Sequence, residues 1–175
     1  MELDAFRPDG SVNVVVETPR GATIKLKHDA GSGRMMLSRA LPFGVAYPYD
    51  WGFVPATRGP DGDPVDAMIL WESASYPGVL IPCRLIGVLG VEQTDVASGK
   101  RQRNDRVFTV PIKAPRLAHV RTIFDFQERV RQELEQFFHD VVAFEGKALE
   151  LLGFKGPGEA EALLRSSLPS IHQRA

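Results

Sequence analysis

The 175 residues are 43% hydrophobic, enough for one domain with a sizeable core and too few for two independent ones. The 21 basic residues nearly balance the 22 acidic ones, and a formal net charge of -1 excludes a dedicated nucleic-acid coat or membrane-surface binder. The lone cysteine, Cys83, excludes an internal disulfide and a cysteine-based zinc cluster, and its apolar surroundings mark it as a packed core thiol.

The first residues, Met1 to Arg7, lack a basic stretch leading into an apolar one, so no signal peptide is expected. No run approaches the ~18 apolar residues of a membrane span. A soluble, cytoplasmic chain is the expectation. Val12 to Thr18 is valine-rich and β-branched. A turn follows at Pro19-Arg-Gly21, and Thr23 to Lys27 then alternates apolar and basic residues, so the two runs read as a hairpin with one polar face. Asp29 to Gly33 is a further turn, and Met35 to Arg39 a short third strand. Ala67 to Trp71 reads as a buried strand. Val79 to Val91 is long and apolar, with Gly87 and Gly90 as bends or bulges. Arg106 to Val110 closes the series, and short strands with glycine-marked bends predict a small barrel.

The period then changes. Ile123, Phe126, Val130, Leu134, Phe137, Phe138 and Val141 recur at helical spacing, with charged residues between them. The pattern predicts an amphipathic helix covering one side of the barrel, its aromatic stripe serving as core packing. Gly146 and Gly153 break up the next segment, and Pro157 to Arg165 reads as a short final helix. The fold class expected is mainly β, or α+β, in a single domain over residues 1–175. The barrel would occupy about 12–115 and the helical part about 120–168.

Three carboxylates, Asp61, Asp63 and Asp66, fall within six residues. On an extended backbone Asp61 and Asp63, two apart, project to one side. Gly62 allows close approach to a ligand and Pro64 stiffens the chain. Such crowded like charges are usually compensated by divalent cations, and an oxygen-only set suits Mg²⁺ or Mn²⁺. A solvated acidic turn is the plainer reading of the motif alone. An EF-hand loop fails, because Asp66 stands where its glycine is required. Lys25 and Lys27 share a strand face, Arg39 follows, and Tyr47 offers a hydroxyl. Acids, bases and a tyrosine together suit a polyanion bridged by metals. His28, His119, His139 and His172 have no spacing that suggests a zinc site.

The run Asp61-Gly-Asp-Pro-Val-Asp66 resembles the signature of the soluble family I inorganic pyrophosphatases. Glu17-Thr-Pro-Arg-Gly21, Lys25, Arg39, Tyr47-Pro48 and Gly87-Val-Leu89 fall in the family's order at similar spacing. The likeness covers roughly residues 12–150. It implies a twisted five-stranded OB-like barrel with flanking helices, usually assembled as a homo-oligomer, that hydrolyses pyrophosphate to two phosphates. Asp61 and Asp66 would ligate Mg²⁺, and Asp63, also near metal, would be the general base on a metal-held water. Lys25, Arg39, Tyr47 and Arg106 would hold phosphate, and Glu17 would hold water around a further metal.

The chain departs from the family pattern at several places. Lys27 stands where a second acid is common on its strand, and Trp51 replaces a second tyrosine. Gln93 and Asn104 fall where two metal-binding aspartates are typical. Glu92, Asp95 or Asp105 would then complete the metal site after a register shift, Asp105 being the leading candidate. Val141-Val142 replaces a Tyr-Lys pair. These departures keep open a homologue altered toward another phosphoanhydride. An OB-like nucleic-acid module is the remote alternative, opposed by the carboxylates facing the lysines.

Overall fold

The computed structural model describes residues 3–169, so His172 lies outside the described residues. Strand β1, Val12–Thr18, is buried at every position. Its valines suit a strand packed on both faces. It does not form the expected hairpin with the next strand. Its edges are taken by β4, Asp50–Phe53, and by β6, Leu80–Asp95. The second strand, β2 (Ile24–Asp29), instead pairs with β3 (Arg34–Ala40) in a separate two-stranded sheet. A strand buried at every position is worth more inside the barrel than on an open hairpin, and this explains the exchange. Side chains link β1 to β2: Thr18 Oγ1 accepts from the Leu26 amide at 2.9 Å and Glu17 Oε1 from the His28 amide.

The main sheet closes on itself. β1 pairs with β4, β4 with β5 (Asp66–Ile69), β5 with β8 (Arg106–Pro111), β8 with β6, and β6 returns to β1. The result is a five-stranded ring, which removes the unpaired edges of an open sheet. Every pairing in the ring is antiparallel except β5 with β8. That parallel pair sets Ala67 opposite Val107, so the strand-leading residues Asp66 and Arg106 are neighbours.

β6 runs on past the ring, where β7 (Arg101–Arg103) and β9 (Lys147–Lys155) pair with it. Both anticipated glycine bends lie at register shifts. Gly87 follows the shift against β8, and Gly90 sits inside the shift against β9. A Cβ at Gly87 would lie 2.6 Å from the Lys155 carbonyl, so the crossing strand requires glycine there. Strand β9 falls in the segment expected to be broken up. Gly146 and Gly153 do have positive φ, 64° and 85°, but the second is absorbed within the strand.

The predicted long helix is shorter. Ile123–Asp125 forms a separate 3-10 turn capped by Thr122, and helix α1 runs over Glu128–Asp140. The capping box between Thr122 and Asp125 closes the turn, and Phe126 is extended, so the apolar spacing continues across a break in the helix. The final helix, α2, spans Pro157–Ser166 with proline in its first turn.

Alternation along the strands divides the core in two. Trp51, Met68, Leu89 and Phe108 pack with Leu134, Phe137 and Phe138 of α1. Val12, Val14, Val16 and Ile69 pack with Ala160 and Leu164 of α2. Cys83 is fully buried in the second cluster, and burial pushes its thiol up to about 12. Among the described residues no helix is long and apolar enough to cross a membrane.

Candidate active site

On the α1 side of the ring lies a cleft of about 1000 Å³. Its floor follows from strand alternation. The even-numbered valines of β1 face the α2 cluster, which leaves Glu17 to the cleft. Asp66 leads β5 on the face shared with Met68, and Arg106 leads β8 on the face shared with Phe108. The parallel register brings them together, with Arg106 Nη1 2.6 Å from Asp66 Oδ2. Arg106 is 7% exposed. It also donates to Asn104 Oδ1 and lies over the Trp51 ring, 5.6 Å from the centroid.

Asp61 and Asp63 stand on the β4–β5 loop, which forms a turn, as the plainer reading of the motif has it, and not an extended run. Gly62 has φ 89°, and the Asp63 amide donates to Asp61 Oδ1 at 3.1 Å. Thr57 braces the loop, accepting from the Val65 amide at 2.9 Å and donating to the Val54 carbonyl at 2.6 Å. The turn still leaves both acids on the cleft. Partial burial raises the Asp61 carboxyl above its ordinary range, with Asp66 and Asp63 adding to the rise. Glu17 is raised for the same first reason, burial, against the pull of the His28 amide, which donates to Oε1 at 2.7 Å.

The β2–β3 hairpin forms the opposite wall. Lys25 and Lys27, two apart on β2, both line the cleft. Lys25 sits directly across the ladder from Arg39. Two cations opposed in this way destabilise a sheet unless an anion lies between them. Burial lowers the Lys25 ammonium below the ordinary lysine value. Arg106 and Arg39 deepen the shift, while Asp66 and Glu17 oppose it. Arg39 reaches the far end of α1, donating from Nη2 to the Val141 carbonyl at 2.9 Å. Its Nε lies 3.1 Å from Glu145 Oε1, close enough for an ion pair but not aligned as a hydrogen bond. Lys27 pairs with Asp63 at 2.7 Å.

Tyr47 is 3% exposed, its ring edge-on to Phe137 at 5.2 Å, and burial holds its hydroxyl far above the usual range. It therefore stays a protonated donor at any ordinary pH. Asp105 does not join the cleft. Its carboxylate accepts from the Val91 amide at 2.8 Å and from Arg103 Nη2 at 2.8 Å, and it lines a smaller cavity behind the acidic loop. Its neighbour Asn104 lines both cavities and meets the cleft through Arg106, which donates to its Oδ1. Asp95 lines the cleft rim but is capped by Ser98, and Glu92 pairs with Arg101. Gln93, Val141 and Val142 complete the far wall.

Two partnerships escaped sequence reasoning. Glu145 and Arg39 are too far apart in the chain to be linked by any local pattern. Lys27 and Asp63 are separated by two strands, β3 and β4, and although the lysines were expected to face the acidic motif, no local pattern says which lysine meets which acid.

The sequence model of the inorganic pyrophosphatase family matches residues 14–172. The chain belongs to this family. An inorganic pyrophosphatase of Streptomyces coelicolor is 39% identical over 156 residues, covering 89% of this chain and 92% of the relative. One of Synechocystis is 36% identical over 146 residues, covering 83% of each. The fold agrees with solved members: the Thermus thermophilus inorganic pyrophosphatase superposes with TM-score 0.87 at 31% identity, covering 95% of both chains. The Helicobacter pylori inorganic pyrophosphatase gives TM-score 0.84 at 32% identity, covering 96% of both. The five-stranded ring with its C-terminal helices is the pyrophosphatase fold.

Proposed function

We propose that this chain hydrolyses inorganic pyrophosphate to two phosphates with a divalent metal, Mg²⁺ by preference and Mn²⁺ as a substitute. The observation that carries the reading is the opposed pair Lys25 and Arg39, facing Asp61, Asp63 and Asp66 across one cleft. Carboxylates alone would suit a metal and cations alone an anion, whereas both together suit a metal-bridged polyanion.

The donors fit a hard cation in kind. They are oxygen ligands on a short loop and an adjoining strand, and Asp61 is a partly buried carboxylate whose neighbours include two further acids. Asp61, Asp66 and Asp63 would hold the metal directly, and Glu17 through water. Among the described residues no group of three such ligands is already gathered at one point, and water would complete the shell of a hard cation there. The metal supplies charge for the phosphate oxygens and lowers the pKa of a bound water.

The chain's own groups do the rest. Lys25, Arg39 and Arg106 bind the phosphates, and Tyr47 donates its hydroxyl to a phosphate oxygen. Asp63 takes the proton from the attacking water at a carboxylate oxygen. One P–O bond forms from that water as the bridging P–O bond breaks, and the second phosphate leaves.

Phosphate release from pyrophosphate with Mg²⁺, in wild type and Asp63→Asn, tests this. The substitution is expected to cost roughly 10²–10⁴ in kcat, the usual worth of a general base. Wild-type release no greater with Mg²⁺ than in a blank would overturn the proposal.

A second reading has its own observation. Val141 and Val142 give the far wall an apolar stretch, beside the neutral Gln93 and Asn104. A larger phosphoanhydride with an organic end would find contact there, and a substrate panel separates it from pyrophosphate. A cytoplasmic homo-oligomer belongs to the same proposal. Phe43 and Phe144 are large apolar side chains left exposed at 108% and 85%, and a partner copy would cover them.

A further inference from the structure

Two of the three acids in the motif already hold a cation that belongs to the chain. Arg106 holds Asp66 and Lys27 holds Asp63. The settings of the two pairs differ. Arg106 is buried, fixed by the register of β5 and β8, stacked on Trp51 and tied to Asn104. It forms part of the floor. Lys27 and Asp63 are half exposed, with side-chain exposures of 50% and 56%. They also stand on separate pieces of structure. Lys27 is on the hairpin outside the ring, and Asp63 is on the β4–β5 loop. An exposed pair of this kind opens readily.

The ammonium lies 2.7 Å from Asp63 Oδ2, and a divalent ion bound at that oxygen would stand within a few ångströms of it. Asp66 and Glu17 add to its attraction toward this spot. We infer that Lys27 is a tethered cation for Asp63: a divalent ion reaching this carboxylate displaces it, and the released ammonium turns to the phosphate oxygens of the substrate. Lys27 is thus a positioning residue. It weakens metal binding to the free protein and favours metal arriving together with an anion, because the anion offers the displaced ammonium a new partner. This inference rests on the reading of the cleft as a metal and phosphate site.

The test is Mn²⁺ binding to the full chain without substrate, read by electron paramagnetic resonance of the free ion. Lys27→Gln is expected to bind Mn²⁺ roughly tenfold tighter, the effect of removing one charge a few ångströms from a divalent ion. Lys27→Arg keeps the charge and should leave the affinity near wild type. Lys100→Gln removes the same charge from the cleft rim, where screening should hold its effect under about twofold. Added inorganic phosphate should tighten Mn²⁺ binding to wild type more than to Lys27→Gln. Unchanged affinity in Lys27→Gln, or an equal gain in Lys100→Gln, overturns the inference and leaves the proposed function standing. No Mn²⁺ binding by any variant overturns both. Lys27 is exposed, so its substitution does not disturb the core, and far-UV circular dichroism checks that the fold is kept.

Discussion

Lys25 shows how a single residue couples the fold to the ligand. It is partly buried, opposed to Arg39, and shifted down in pKa with burial as the first cause. A lysine binds anions only while charged. A lowered pKa therefore brings the loss of charge to a lower pH than the ordinary 10.5. Phosphate affinity, measured by calorimetry with metal present, is expected to fall as pH rises below that value. Lys25→Arg should flatten the decline, since a guanidinium stays charged throughout. Stability moves with the opposite sign. The unfolded chain keeps this proton over a range where the folded chain has released it, so the Lys25 contribution to stability grows as pH rises toward 10.5. Asp61, Asp63 and Asp66 stood out in the sequence because they crowd one short motif, whereas the gathering of Glu17, Lys25, Arg39 and Arg106 around the same cleft depends on strand pairing. Asp105 stays out of the cleft because its carboxylate is taken by the Val91 amide and Arg103, while the adjacent Asn104 is held by Arg106. Counting along the chain from either end cannot say which of them faces the ligand. The backbone partner of Asp105, the Val91 amide, is set by tertiary pairing alone.

At the scale of elements, sequence reasoning succeeded where a strand's composition is decided by its own burial. β1 was read with its observed ends because each of its positions is buried. The partner of β1 was misread, since a nearby turn suggests a hairpin and ring closure depends on strands far along the chain. Strand β9 was missed although Leu149 and Leu151 alternate with exposed neighbours, because its glycines suggested interruption. Strand β4 carries a feature no pattern marks. A Cβ at Gly52 would lie 1.8 Å from the Val15 carbonyl, where β4 crosses β1 against the backbone itself. Gly52→Ala is expected to destabilise the protein by roughly 2–4 kcal/mol, because the clash is with backbone and no rotamer relieves it. Urea unfolding followed by fluorescence measures the loss, and a change under about 0.5 kcal/mol, the range of neutral surface substitutions, would contradict it.

At the scale of the whole molecule, β6 is the strand with the most partners in the main sheet. It closes the ring with β1 and β8, carries β7 and β9, and runs beside both core clusters. Trp51 belongs to the α1-side cluster and Trp71 packs against the other. A chain tied through one strand should lose both clusters together, as one domain. Thermal unfolding followed by far-UV and near-UV circular dichroism is expected to give coincident midpoints, and separated midpoints would divide the chain into two units. The single parallel pairing of the ring has a last consequence. A slip of one residue between β5 and β8 would turn Arg106 from the cleft to the α2-side core, away from Asp66, and strand an unpaired guanidinium among valines. The charges that hold the ligand thus proofread the closure of the barrel: a ring assembled out of step is penalised at the same two residues that an active one needs.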